Sequence, residues 1–133
     1  MSEKTLTLAL MDPPYESANT TTAFRIIASA LKKGVRVNVF AYEGAVCLPI
    51  KDQAPHANPV KGTTIEEEDH PTTRAFVSAL IEAGGDRITW INCGLCVDER
   101  GATSVVEGVK RGSLADFFTM ASESTNTLVI PTR

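Results

Sequence analysis

The alternation of strand and helix patterns along the chain is the strongest constraint on its fold. Thr5 to Met11 reads as a mostly buried strand, and Asp12-Pro13-Pro14-Tyr15-Glu16-Ser17 ends it, because two prolines cannot continue a hydrogen-bonded ladder. Asn19 or Thr20 is placed to cap a helix running to about Lys33. Phe24, Ile27, Ala28 and Leu31 recur at i, i+3, i+4 and i+7 and form one apolar stripe. Lys32 and Lys33 suit the negative end of that helix, and Gly34 is a stop. Val35 to Tyr42 is a second strand, β-branched at first. Strand, helix and strand joined by short turns make a βαβ unit, which demands parallel strands and a right-handed crossover.

The pattern resumes after an interruption. Residues 47 to 70 hold Pro49, Pro55, Pro59 and Gly62, then the acidic run Glu66-Glu67-Glu68-Asp69, which reads as solvated surface. So long an irregular stretch in a compact domain is usually a lid, an interface or mobile. Thr72 or Thr73 opens a second helix with Phe76, Ala79, Leu80 and Ala83 at helical spacing, ended by Gly84-Gly85. A third strand spans 87–92, and Ala102 to Arg111 is weakly helical and interrupted by Gly108. Ser113-Leu114-Ala115-Asp116 resembles a capping box before a helix that carries Leu114, Phe117, Phe118 and Ala121 on one face. Thr127 to Ile130 is the last strand, closed by Pro131. The expected fold is α/β: one domain over residues 1–133, a three-layer sandwich with a mostly parallel sheet of four or five strands and helices on both faces.

Composition narrows the function classes. With 133 residues, 43% hydrophobic and 22% charged, the chain has the makeup of an ordinary globular domain. A formal charge of −3, from 13 basic and 16 acidic side chains, leaves no footprint for nucleic acid. No apolar run approaches the roughly 20 residues that span a bilayer, so no membrane association is expected. The polar start Met1-Ser2-Glu3-Lys4 has no signal-peptide character. Three cysteines are an odd and sparse set, which argues for reduced thiols and a cytoplasmic location rather than a secreted disulfide framework.

Chemistry concentrates in Cys93-Gly94-Leu95-Cys96-Val97-Asp98-Glu99-Arg100-Gly101, directly after the third strand. A cysteine at the carboxyl end of a buried strand lies where α/β sheets place their sites. If a helix starts there, its free N–H groups favour a thiolate, and Arg100 adds a permanent positive charge. Cys93, Cys96 and Arg100 are therefore the candidate catalytic residues. Cys47 follows the second strand, and neighbouring parallel strands end on the same edge, so it is a possible neighbour of Cys93 or else a half-buried loop cysteine.

Other readings stay open. Both cysteines could be small buried hydrophobes. Cys-Gly-Leu-Cys has the spacing of a dithiol redox motif, though it follows two βα units rather than an early strand. Cys47, His56, His70, Cys93 and Cys96 are ligand types that zinc accepts, but they include only one close pair. There is no Gly-rich phosphate loop and no Ser-His-Asp order. No cofactor is indicated. Trp90 reads as core, and Tyr15 and Tyr42 flank the strand ends around Cys93.

Four segments stand out together: Pro14-Tyr15-Glu16-Ser17-Ala18-Asn19 leading into Thr22-Ala23-Phe24; Phe40-Ala41-Tyr42-Glu43-Gly44-Ala45-Val46; Cys93 with Arg100-Gly101; and Gly112-Ser113-Leu114-Ala115 before an apolar helix. As a set they resemble the DsrE/DsrF family of sulfur-relay proteins, including its TusD-type subunits. They cover most of the chain in the family's order. The resemblance implies a persulfide on Cys93, sulfur donor and acceptor proteins as partners, and a homotrimer or hexamer of α/β subunits. Cys96 stands where the TusD-type pattern has an ordinary small residue, and a Cys-x-x-Cys form is seen in other relatives. Cys96 is thus open to two roles, resolving a persulfide or serving as a second loading site. The 47–70 stretch reads as an elaboration. The competing class is a binding or regulatory subunit on the same fold, with structural or metal-binding cysteines.

Overall fold

The computed structural model describes residues 3–54, 62, 64–68 and 72–132. Among the described residues five strands form one parallel sheet: β1 (Thr5–Leu10), β2 (Arg36–Ala41), β3 (Ile88–Cys93), β4 (Val109–Gly112) and β5 (Asn126–Ile130). Their spatial order is β4-β3-β2-β1-β5. The chain steps outward from β1 to β4, then returns past the sheet to add β5 on the other side of β1. Among the described residues five helices accompany them: α1 (Asn19–Lys32), α2 (Ile65–Glu68), α3 (Thr73–Gly84), α4 (Gly94–Arg100) and α5 (Leu114–Glu123). Short 3-10 turns lie at Glu43–Cys47 and Gly85–Arg87.

The apolar stripe of α1 does what its spacing requires. Phe24, Ile27 and Leu31 are buried with Leu8, Val37, Val39 and Trp90 in one core layer, which α3 completes through Val77 and Leu80. Phe24 stacks on Phe76 with ring centroids 4.9 Å apart and lies 6.4 Å from Trp90. The opposite face carries a smaller cluster of Phe40, Val46, Cys93, Cys96, Val97 and Ala102, against which Phe117 and Met120 of α5 pack. The expected layering, with helices on both faces, is the observed one.

Local signals resolve into specific caps. Thr72 accepts from the Ala75 N–H at the start of α3, and Ser113 and Asp116 form the full capping box of α5. At α1 the cap position is Ala18, not Asn19 or Thr20. Ser17 Oγ instead accepts from the Asn19 N–H while bonding to the buried Asp12 carboxylate. Asn19 Nδ2 also donates to the Pro131 carbonyl at 3.1 Å, tying this loop to the end of β5.

The weakly helical expectation for Ala102 to Arg111 is corrected. Val105 bridges to Ile50, and Val109–Gly112 pairs in register with Trp90–Cys93 as edge strand β4. Gly108 at φ 97° turns the chain into it, at a point where a Cβ would come within 2.8 Å of Ile81. A four-residue strand in which both Lys110 and Arg111 are exposed shows no alternation to read.

One surface stays uncovered. No residue of α5 is buried, Leu114 and Phe118 are exposed on it, and Leu128 and Val129 are exposed on β5. Among the described residues no helix is long and apolar enough to cross a membrane.

Candidate functional site

Alternation along β3 sorts its side chains. Ile88 and Trp90 enter the α1–α3 core, whereas Cys93 enters the cluster on the α5 side. Cys93 is both the last residue of β3 and the N-cap of α4, with extended backbone at φ −61° and ψ 120°. Cys96 is then the third helical residue. N-cap and third positions approach each other in any helix, the geometry on which a capping box depends. Cys-x-x-Cys spacing thus turns both sulfurs inward, and the two thiols are 4% and 5% exposed. Leu95 between them is exposed. α4 ends on Gly101, left-handed at φ 62°.

The Cys96 thiol is pushed up to about 11, first by burial and further by its hydrogen-bonding contact with the Cys93 sulfur. A backbone bond opposes this: the Glu43 N–H donates to Cys96 Sγ at 3.2 Å. Cys96 therefore keeps its proton at neutral pH.

Glu43 stands just beyond β2 with φ 53°, a left-handed conformation uncommon for a residue with a side chain. That turn aims its N–H at Cys96 and its carboxylate outward, where Arg100 meets it at 3.1 Å. Arg100 also lies 3.5 Å from Glu99. Its charge acts on Cys47, whose thiol is raised by burial and held back by Arg100. Cys47 is half-buried against the cluster that contains Cys93 and Cys96, so the three cysteines share one neighbourhood.

The guanidinium whose field couples to Cys93 is that of Arg111. Asn92 pairs with Arg111 across β3 and β4. The guanidinium lies over Gly94, where a Cβ would sit 2.7 Å from its Nε, so a glycine is needed for this approach. Asp98 holds it in a bidentate pair at 2.9 and 2.7 Å. The pair is reciprocal: the Asp98 carboxyl is held below its ordinary range by hydrogen bonding to Arg111, and Arg111 is raised by Asp98. Tyr42 completes the rim. Its hydroxyl is raised chiefly by the Glu43 carboxylate, then by burial and by both cysteines.

Cys93, Cys96 and Cys47 are thus brought together, with Arg100 at the outer margin. Arg111, Glu43 and Tyr42 join the site although the motif around Cys93 does not contain them. The signal for Arg111 was its parallel register with β3, which needs β4 to be recognised. Among the described residues no three His, Cys, Asp or Glu side chains gather to hold a metal ion. His56 and His70 lie outside the described residues.

The profile of the DsrE/DsrF-like family matches residues 4–130, spanning all five strands and the thiol pair. This chain belongs to the DsrE/DsrF-like family. Within reach by sequence is the uncharacterized protein MJ0989 of Methanocaldococcus jannaschii, 26% identical over 122 residues, which are 90% of this chain and 94% of that protein. The DsrE/DsrF-like fold also superposes on solved structures. The crystal structure of the ychN protein from E. coli gives a TM-score of 0.69 at 20% identity, with 96% of this chain and 99% of that one covered. The structure of BT1422, a conserved protein of unknown function from Bacteroides thetaiotaomicron, gives 0.64 at 12% identity, with 95% and 93% covered. At these identities the two structures speak for the fold alone.

Proposed function

We propose that this DsrE/DsrF-like protein is a cytoplasmic sulfur carrier that holds a persulfide on Cys93. The observation that supports this best is the buried Cys93–Cys96 pair, set at the N-cap and third position of α4 with the Arg111 guanidinium lying over the intervening Gly94. A thiol donor and a guanidinium close by are groups that can hydrogen-bond and balance the charge of a persulfide anion held on Cys93. In loading, the Cys93 thiolate attacks the outer sulfur of a donor persulfide R–S–SH. The donor S–S bond breaks, R–S⁻ leaves, and Cys93–S–SH forms. In delivery, an acceptor thiolate attacks the same outer sulfur and Cys93 departs as thiolate. No net oxidant or reductant enters either step.

In this reading Cys96 is a proton-bearing partner of Cys93, and Arg100 tethers the Glu43 turn and acts on Cys47. Donor and acceptor proteins would approach over the exposed Leu95. The unburied apolar residues of α5 and β5 would be covered by further copies of the chain in a homotrimer or hexamer.

The test is intact mass after incubation of the reduced protein with polysulfide or thiosulfate. A gain of whole sulfur atoms that Cys93→Ser abolishes supports the carrier, and sulfur uptake by Cys93→Ser at the wild-type level sinks it. The contact between Cys93 and Cys96 supports a second reading, a dithiol oxidoreductase. That reading requires a Cys93–Cys96 disulfide that forms and reduces reversibly, with no sulfur gained.

A further inference from the structure

The thiols of the proposed carrier are almost sealed: Cys93 is 4% and Cys96 5% exposed. Thiol exchange needs access to the attacking sulfur, and a sulfur held on another protein cannot touch one so buried. Something over Cys93 has to move. The covering element with the least holding it is α4. It leaves β3 at Cys93, and the chain is next held at Ser104, whose carbonyl accepts from the Lys51 N–H at 2.9 Å. Between these points Leu95, Asp98, Glu99 and Thr103 are exposed, while Cys96, Val97 and Ala102 pack in the thiol cluster.

β3 lies between β2 and β4 in the sheet, and α4 is tied to both neighbours. On one flank is the turn after β2. There the Glu43 N–H donates to Cys96 Sγ at 3.2 Å, and the Glu43 carboxylate meets Arg100 at 3.1 Å. On the other flank Arg111 of β4 grips Asp98 at 2.9 and 2.7 Å. Both ion pairs face solvent: their side chains are 31% and 47% exposed in the first and 56% each in the second. Pairs so placed are individually weak and are screened by salt. Gly101, left-handed at φ 62°, ends the helix with nothing within 4 Å of where a Cβ would stand, so the chain has room to pivot there.

From buried thiols under a helix latched on both sides by exposed ion pairs, we propose that α4 is a lid over Cys93. It pivots at Cys93 and Gly101, and the Asp98–Arg111 and Glu43–Arg100 pairs hold it shut. Opening carries Cys96 and Val97 away from Cys93, which stays on β3 in register with Gly112. A sulfur carried on another protein then reaches Cys93, and closing returns Cys96 to the loaded sulfur and excludes water. The purpose of the lid rests on the carrier reading, but its motion is measured without sulfur.

Two neutral thiol reagents of unequal size, N-ethylmaleimide and pyrenylmaleimide, test it on the whole protein, with modification of Cys93 read by peptide mass. Through an opening lid, both should react more slowly than with glutathione by the same factor. High salt, where the screening length falls to about 3 Å, should speed both by about threefold or more. Asp98→Asn should speed both by about threefold. Arg111→Gln would break the same pair but also remove the guanidinium over Gly94, so Asp98→Asn is the cleaner change. Because Asp98→Asn also alters charge near Cys93, amide hydrogen exchange supplies a second readout. Exchange in α4, corrected for the new side chain, should quicken by the same factor while β3 is unchanged. Selective exclusion of pyrenylmaleimide, rates indifferent to salt, or α4 exchange no faster in Asp98→Asn would each overturn the lid. If α4 opens as described and Cys93 gains no sulfur, the lid stands and the carrier reading falls.

Discussion

The backbone N–H of Glu43 donates to Cys96 Sγ across 3.2 Å from a residue held at φ 53°. The turn after β2 and the first turn of α4 are thus joined at the thiol pair, and the join needs an unusual backbone rather than an unusual side chain. Left-handed backbone costs an L-residue roughly 1–2 kcal/mol, more for a β-branched one. Glu43→Gly keeps the N–H and removes that cost, but it also loosens the unfolded chain. Its stability to urea should stay within about 1 kcal/mol of wild type. Glu43→Val should lose about 2 kcal/mol. A Glu43→Val protein as stable as Glu43→Gly would mean the turn relaxes freely and is not a constraint on Cys96.

The same carboxylate is the largest influence on Tyr42, ahead of burial and the cysteines. A nearby anion disfavours the phenolate, so Glu43→Gln should lower the Tyr42 titration toward its ordinary 10.0. Tyrosinate absorbance followed in a Tyr15→Phe background isolates the group. An unchanged curve would place burial first.

Cys96 carries a pH dependence whose sign can be worked out. Its ordinary value is 9.0, and the fold raises it to about 11. At pH 7 its thiolate fraction is about one in ten thousand, so its alkylation should be slow and rise about tenfold per pH unit until near 11. Below pH 9 both native and unfolded chains keep the proton, and the stabilisation is fully present. Between 9 and about 11 the unfolded chain releases it while the native one holds it, so stability falls as pH rises. Urea midpoints across that window should drop for wild type and flatten for Cys96→Ser. In Cys93→Ser the raising contribution of Cys93 is gone while burial remains, so Cys96 should titrate lower than in wild type yet still above 9.0.

The two arginines separate by what they touch. Arg111→Gln removes the bidentate partner of Asp98, and the Asp98 carboxyl should rise to its ordinary 3.8 in a carboxyl-detected NMR titration. It should also slow sulfur uptake at Cys93 severalfold, because the guanidinium lies over Gly94, the residue that follows Cys93. Arg100→Gln should leave Asp98 where it is and push Cys47 further up, because Arg100 holds that thiol down. Equal effects of both changes on Cys93 would mean that charge in general, rather than Arg111's position, governs the site.

What the sequence could show follows from how strongly each signal repeats. The stripe Phe24, Ile27, Ala28, Leu31 and the β-branched run before Tyr42 are periodic, and they became α1 and β2 within a residue or two. Cys93 was readable because the strand before it is apolar and the glycine after it opens a helix. β4 was not readable: Val109-Lys110-Arg111-Gly112 is short, lies on an edge and alternates nothing. Missing β4 hid Arg111, since only parallel register brings it beside Asn92 and over Gly94. Glu43 was hidden for a different reason. Its contribution is a backbone N–H aimed by a left-handed turn, and no side-chain pattern records that.

α5 has a capping box and an apolar face, yet it buries no residue. A helix with that pattern ordinarily pays its apolar side toward a core, and here Leu114 and Phe118 are 55% and 73% exposed. Val129 extends the patch along the edge strand β5 on the α5 face, whereas Leu128, beside Leu8, is exposed on the opposite face. If copies of the chain cover this surface, a charge there should separate them without unfolding the subunit. Exposed substitutions away from caps shift stability by about 0.5 kcal/mol or less, so Phe118→Glu should melt as a monomer close to wild type. Sedimentation equilibrium should give a trimer or hexamer for wild type and a monomer near 14.3 kDa for Phe118→Glu. A wild-type monomer at the same concentrations would remove the proposed homo-oligomer and leave the apolar face of α5 to a donor or acceptor protein.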